Sequence, residues 1–95
     1  MRYKGKVDAN QKQIVSHLRQ IGASVLILSS VGSGCPDILV GYRGVNYLME
    51  IKDGRKVPSA QKLTRDELAF HDSWRGQVAV IRRPAEAFEI IGITG

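Results

Sequence analysis

The sequence contains a single cysteine, Cys35, in 95 residues. One thiol excludes an internal disulfide and a cysteine zinc centre, so stability must come from packing. Cys35 itself reads as a small filler beside Pro36 rather than a nucleophile. No apolar run approaches the roughly 20 residues that a membrane span needs. The start Met1-Arg2-Tyr3-Lys4-Gly5-Lys6 is basic with no hydrophobic stretch behind it, which points to a cytoplasmic protein. There is no polar low-complexity segment, repeat or linker, and at this length one domain (1–95) with one core is expected. No Gly-Lys-Ser/Thr follows Gly32 and Gly34, so the Gly-rich stretch is not a P-loop. His17 has no partner at ligand spacing, and His71 reads as a surface or interface residue.

Acid is also scarce. Nine Asp and Glu face 14 Lys and Arg, a formal charge of +5. The basic residues cluster at Arg2/Lys4/Lys6, Lys52/Arg55/Lys56, Lys62/Arg65 and Arg82/Arg83, a balance that supports a polyanionic partner, with a solvated basic surface as the alternative.

What is present is a regular alternation of elements. Asp8 and Gln11 form an imperfect capping box, and Ile14, Val15, Leu18 and Ile21 then recur at helical spacing, giving a helix over about Ala9 to Ile21. Val25-Leu26-Ile27-Leu28 suits a buried strand, and the small residues Val31 to Pro36 break it. Ser29, Ser30 and Ser33 are turn formers there, with phosphate contact as the alternative. Asp37 to Tyr42 and Val45 to Lys52 read as a hairpin turning at Arg43-Gly44, followed by a loop over Asp53 to Ala60. Thr64 and Glu67 form a second capping box, with Leu63 and Leu68 as its hydrophobic staple. The helix it starts runs to about Trp74, a core residue, before Gly76. Gln77 to Arg82 reads as a fourth strand and Pro84 to Ile91 as a terminal helix. The predicted fold class is α/β (α+β), in the order αβββαβα.

The hairpin register decides which side chains meet. With the turn centred between Arg43 and Gly44, Tyr42 aligns with Val45 and Asp37 falls opposite Glu50. Alternation then places Ile38, Val40, Tyr42, Val45, Tyr47, Met49 and Ile51 on an apolar face, and Asp37, Leu39, Asn46, Leu48, Glu50 and Lys52 on the other. Two carboxylates with Cβ atoms roughly 5 Å apart repel. A divalent cation would offset this, because Mg²⁺ is typically held by one or two carboxylates with waters and phosphate oxygens. Lys52, on the same face, would orient a water or stabilise charge developing on a phosphate, and the Ile51 carbonyl lies between these groups. The alternative is a surface Glu50–Lys52 ion pair, with Asp37 only capping the Pro36 turn.

Pro36-Asp37, a spacer, then Glu50-Ile51-Lys52 resembles the PD-(D/E)XK signature of restriction-endonuclease-like nucleases. Gly34-Cys35-Pro36-Asp37-Ile38-Leu39-Val40-Gly41, Leu48-Met49-Glu50-Ile51-Lys52-Asp53, Lys62-Leu63-Thr64 and Trp74-Arg75-Gly76 are similar to the VRR-NUC branch, over about Gln11 to Ile91. The resemblance implies a restriction-endonuclease-like core with a central mixed sheet flanked by helices. It implies Asp37, Glu50 and the Ile51 carbonyl as ligands of Mg²⁺ or Mn²⁺, and Lys52 as the catalytic lysine. Small stand-alone members are similar to Holliday-junction resolvases and tend to be homodimers. Two departures stand out: Gln11 where members often carry a Glu, leaving it a water-binding or a capping role, and Glu67 near a position commonly Gln, with Gln61 as a possible substitute.

The expected function is a metal-dependent, structure-selective DNA endonuclease, with Arg55, Lys56, Lys62, Arg65, Arg82 and Arg83 contacting the backbone of DNA, branched DNA in particular. Two rivals belong to other classes. One is a catalytically silent nucleic-acid-binding module that keeps the nuclease fold; the other is an interaction subunit using a sheet edge or the second helix.

Overall fold

A computed structural model of the chain describes residues 9–93. Asp8 of the first capping box and the Arg2/Lys4/Lys6 cluster lie outside the described residues. The order of elements is α1 (Ala9–Gln20), β1 (Ser24–Ile27), β2 (Ile38–Tyr42), β3 (Val45–Ile51), a 3₁₀ turn at Pro58–Gln61, α2 (Arg65–Ser73), β4 (Ala79–Ile81) and α3 (Pro84–Ile90). This is the expected αβββαβα order. Among the described residues no helix is long and apolar enough to cross a membrane.

The four strands form one sheet in the order β1-β2-β3-β4, antiparallel except for the β3–β4 pair, which is parallel. A parallel neighbour requires a crossover, and the chain from the end of β3 through α2 supplies it. The β2–β3 turn has positive φ at both Arg43 (50°) and Gly44 (80°), the two-residue hairpin geometry whose twist matches the flanking strands. It pairs Tyr42 with Val45 and Ile38 with Met49.

That register sends one face of the sheet inward. Ile38, Val40, Met49, Ile51 and Ile81 are buried there against Ile14, Val15 and Leu18 of α1 and Ala87 of α3. Each buried Ile or Leu contributes on the order of 1.5–3 kcal/mol. Tyr42 and Tyr47 pack at the rim, whereas Val45, expected on the apolar face, is exposed at the hairpin tip.

Three expectations need correction. The first strand runs Ser24–Ile27 rather than Val25–Leu28, and it is an edge strand in which only Val25 is buried, with Leu26 60% exposed. Apolar runs of this length do not distinguish a central strand from an edge. The fourth strand is shorter than Gln77–Arg82, because the Gln77 side chain does the pairing itself: Leu48 N–H donates to its Oε1 at 2.7 Å, and its Nε2 donates to the Leu48 carbonyl at 3.1 Å. Trp74 is the C-cap of α2 and is 44% exposed, stacked on Phe70 at 5.0 Å instead of entering the core. α2 buries none of its residues, and the staple residue Leu68 is half exposed.

What seats α2 is a backbone contact. The loop between β1 and β2 runs through Gly34 (φ +78°) directly against the first turn of the helix, where a Cβ would collide with the Asp66 carbonyl and lie 2.8 Å from the Glu67 nitrogen. Gly44, by contrast, has open space around it.

The two glycines should therefore respond differently to alanine. Gly44→Ala meets only the backbone cost of positive φ, about 1–2 kcal/mol. Gly34→Ala adds overpacking of about 1–3 kcal/mol. At roughly 4–8 °C per kcal/mol in a domain of this size, thermal denaturation should show the larger fall in Tm for Gly34→Ala; equal falls would mean that the loop–helix contact is not tight.

Candidate active site

The hairpin carries its charges at one end. One step past the Ile38–Met49 pair, the same register sets Asp37 opposite Glu50, as the alternation of the sequence requires. Asp37 is fixed from a second direction: its Oδ2 accepts the Ile51 backbone N–H at 2.7 Å. Glu50 lies on the outer face of the sheet, yet it is only 2% exposed. A glutamate that far from water is rare without a full set of partners. Its Oε1 is buried with no hydrogen-bond partner among the described residues.

Lys52, just past the end of β3, does not serve as that partner. Its Nζ is 3.9 Å from Glu50 Oε2 but 2.7 Å from Glu67 Oε1. The Glu50–Lys52 ion pair is thus the longer of the two and lies away from the surface. Glu67 is held by the capping box: Thr64 N–H donates to Glu67 Oε1 at 2.9 Å, and Glu67 N–H to Thr64 Oγ1 at 3.2 Å.

Electrostatics follow from this crowding. Burial, then the charge and hydrogen bond of Asp37, then the charge of Glu67 push Glu50 up to about 9, with only Lys52 opposing. Burial also raises Asp37, against the Ile51 N–H. Glu67 goes the other way: burial alone would raise it, but the bonds from Lys52 and the Thr64 amide outweigh that and lower it. Cys35 is raised by burial and by the Glu50 and Asp37 charges, so its thiol stays protonated.

Three carboxyl groups therefore converge on one ammonium. If all were ionised, the surplus would be two negative charges, the charge of one divalent cation. The three do not form a cage: among the described residues no group of three or more His, Cys, Asp or Glu is arranged to hold an ion. The Asp37–Glu50 pair, with its orphaned Oε1, is a donor set of the hard-oxygen kind that divalent cations such as Mg²⁺ favour.

Other expected site residues fall elsewhere. Gln11 is buried in the first turn of α1, with its Nε2 donating to Ser29 Oγ at 3.4 Å. Gln61 accepts from Arg82 Nε at 2.9 Å and donates to the Lys56 carbonyl at 2.6 Å, so it braces the loop after β3 and does not reach for the carboxyl pair. Arg55 is paired with Asp53 and Arg83 with Glu86, both largely exposed, while Lys56, Lys62 and Arg65 are exposed. Arg55, Arg82 and Arg83 share a cleft of about 390 Å³ with Asn10 and Gln13, and Arg82 also borders a neighbouring groove with Gln61 and Lys62.

Asn10 has no counterpart in the sequence-based expectation. Buried in the first turn of α1, its Nδ2 donates to the Lys52 carbonyl at 3.1 Å and the Arg82 carbonyl at 3.3 Å, clasping the ends of β3 and β4. The available signal was its position: Asn10, Ile14 and Leu18 lie on one helical stripe, and an amide on an apolar stripe needs a buried partner.

No family model matches the chain, and no curated protein matches it at significance. Among solved structures, one described as a VRR_NUC domain is similar over 85% of this chain and 88% of its own, with 30% sequence identity and a TM-score of 0.61.

The raised Glu50 ties stability to pH. Folded, Glu50 keeps a proton up to about 9, whereas its ordinary value is 4.5. Unfolding in that window releases the proton, so the contribution is complete below the lower value and is lost as pH rises toward the upper one. Asp37 acts in the same direction. The Tm of the metal-free protein should fall steadily from pH 5 to pH 9, and Glu50→Gln should flatten that slope; a slope unchanged by the substitution would remove Glu50 as its source.

Proposed function

Given that the chain belongs to the VRR-NUC family of nuclease domains, we propose that it is a divalent-metal-dependent endonuclease that hydrolyses phosphodiester bonds of DNA, with selectivity for branched structures. The observation that carries this reading is the pairing of a buried Glu50, one of its oxygens unpartnered, with a half-buried Asp37, and Lys52 beside them. A glutamate this far from water beside a second carboxyl is costly to bury, and its unbonded Oε1 gains nothing within the fold to offset that cost.

Asp37, Glu50 and the Ile51 carbonyl are the groups that would hold Mg²⁺ or Mn²⁺. When bound, the ion lowers the pKa of water and polarises the phosphodiester. Glu50 must give up its proton for the site to load, so affinity for the ion rises with pH. Lys52 keeps a fixed positive charge at the edge of the pair, where it orients the attacking water or stabilises charge growing on the phosphate oxygens. Water attacks phosphorus, the ester P–O bond breaks, and the departing oxygen takes a proton.

The basic residues outside the pair supply the grip on DNA. The cleft with Arg55, Arg82 and Arg83 is tied to the Lys52 carbonyl through Asn10, so a phosphate held there is registered against the catalytic end of β3. Lys56, Lys62 and Arg65 extend the positive surface. These contacts position the backbone without reading sequence, in keeping with selectivity for structure. Two copies would bring two sites to one junction. The outer face of the sheet offers them a surface, with Leu26, Leu39 and Leu48 in register across three strands. A cytoplasmic setting, where a lone Cys35 stays reduced, suits this role.

The decisive experiment incubates the protein with four-way-junction, flap and linear DNA in Mg²⁺ or Mn²⁺. Cleavage should favour the branched substrates, stop on chelation, and fall by at least about 100-fold in Lys52→Ala and Asp37→Asn, the range seen when a preorganised charge is removed from an active site. Wild-type activity in Lys52→Ala would refute the mechanism. Tight salt-dependent binding with no product, indifferent to chelator, would select the silent binding module instead.

Light scattering tests the homodimer separately. It should give twice the 10.5-kDa chain mass, with Leu26→Lys returning the protein to a monomer; a wild-type monomer at working concentration would exclude it.

A further inference from the structure

Two of the three carboxyl groups around Lys52 form an ion pair with it, and the shorter pair is with the one outside the Asp37–Glu50 pair. Glu67 Oε1 receives Nζ at 2.7 Å, while Glu50 Oε2 stands at 3.9 Å. The same Glu67 oxygen accepts the Thr64 backbone N–H at 2.9 Å. A carboxylate bonded to backbone does not swing as a surface side chain does. At the third position of α2 it also faces the positive end of the helix dipole. The Lys52 and Glu67 side chains are only 12% and 19% exposed, so the pair is shielded from the solvent that weakens surface ion pairs. The cap does not need Lys52, since Thr64 and Glu67 complete the box between them. The bond to Lys52 is additional.

We propose that Glu67 is the positioning residue for Lys52. It holds the ammonium at the edge of the carboxyl pair and keeps it from closing on Glu50, so that the Glu50 Oε1 stays unbonded and available as a ligand atom. Its catalytic consequence rests on the nuclease reading; the geometry does not. The Gly34 contact on the backbone of Asp66 and Glu67 completes the arrangement, because it stops the first turn of α2 from drifting away from β3. The loop before Asp37, the start of α2 and the end of β3 thus set one lysine from three directions.

Three variants decide it. Glu67→Ala lets Lys52 move, and kcat on branched DNA should fall by up to about 100-fold, the loss expected for a misplacement near 1 Å, while KM changes little. Glu67→Gln retains an oxygen that accepts from both Lys52 and Thr64, so it should recover most of the lost kcat. Thr64→Ala weakens the helix start but leaves the carboxylate and the Thr64 backbone amide in place, so it should lower Tm with a far smaller loss of kcat. Equal kcat losses in Glu67→Ala and Thr64→Ala, or wild-type kcat in Glu67→Ala, would overturn the proposal. A second readout needs no cleavage: acylation of lysines in the metal-free protein, followed by mass spectrometry, should label Lys52 several-fold more slowly in the wild type than in Glu67→Ala. If the wild type cuts no DNA, the nuclease reading falls while the labelling contrast still decides the latch, and equal labelling rates would end it.

Discussion

A buried glutamate is kept beside a half-buried aspartate, and most of the molecule is arranged around that constraint. Asp37 and Glu50 face each other because the Arg43-Gly44 turn fixes a hairpin register that the apolar residues on its other face cannot abandon. A slip of one residue would turn Ile38, Val40, Met49 and Ile51 out of the core and the carboxyls into it. The hydrophobic core thus enforces an electrostatically unfavourable contact on the opposite side of the same strands. Glu50 responds by keeping its proton, and Asp37 by taking the Ile51 amide. These adjustments tolerate the pair without satisfying it, since one Glu50 oxygen stays unbonded.

The same logic explains which parts of the structure were legible in the sequence. Register, faces and the Thr64–Glu67 box were readable because they depend on local periods and on residues three or four positions apart. The opposition of Asp37 and Glu50 followed from the turn alone. Trp74 was misassigned to the core because helical spacing reports which residues share a face and not whether anything covers that face. Leu26 and Ile27 were misread for a similar reason, as nothing local tells an edge strand from a central one. Asn10 clasping Lys52 and Arg82, and Gly34 lying on α2, join residues tens of positions apart, and no short window contains both partners. Gln11, a neutral amide buried in the first turn of α1, likewise reaches across the chain to the Ser29 hydroxyl.

α2 shows why polar contacts carry the fine positioning. The helix buries none of its residues and exposes Leu68 and Trp74, so the apolar driving force that fixes α1 and α3 is largely missing from it. What fixes it instead is directional: the Gly34 backbone contact, the capping box and the Lys52–Glu67 bond. Apolar packing would hold a helix against the sheet but would leave its rotation and slide loosely set, because dispersion contacts are individually weak and non-directional. Hydrogen bonds to a charged group constrain distance and angle together. A helix whose task is to present one carboxylate to one ammonium gains more from that kind of attachment than from burial. The cost is a locally weaker element, and regions with few buried apolar contacts are those that open most readily. The first turn of α2 escapes that weakness because its fastenings concentrate there, while the second half leads only to the stack of half-buried Phe70 on exposed Trp74.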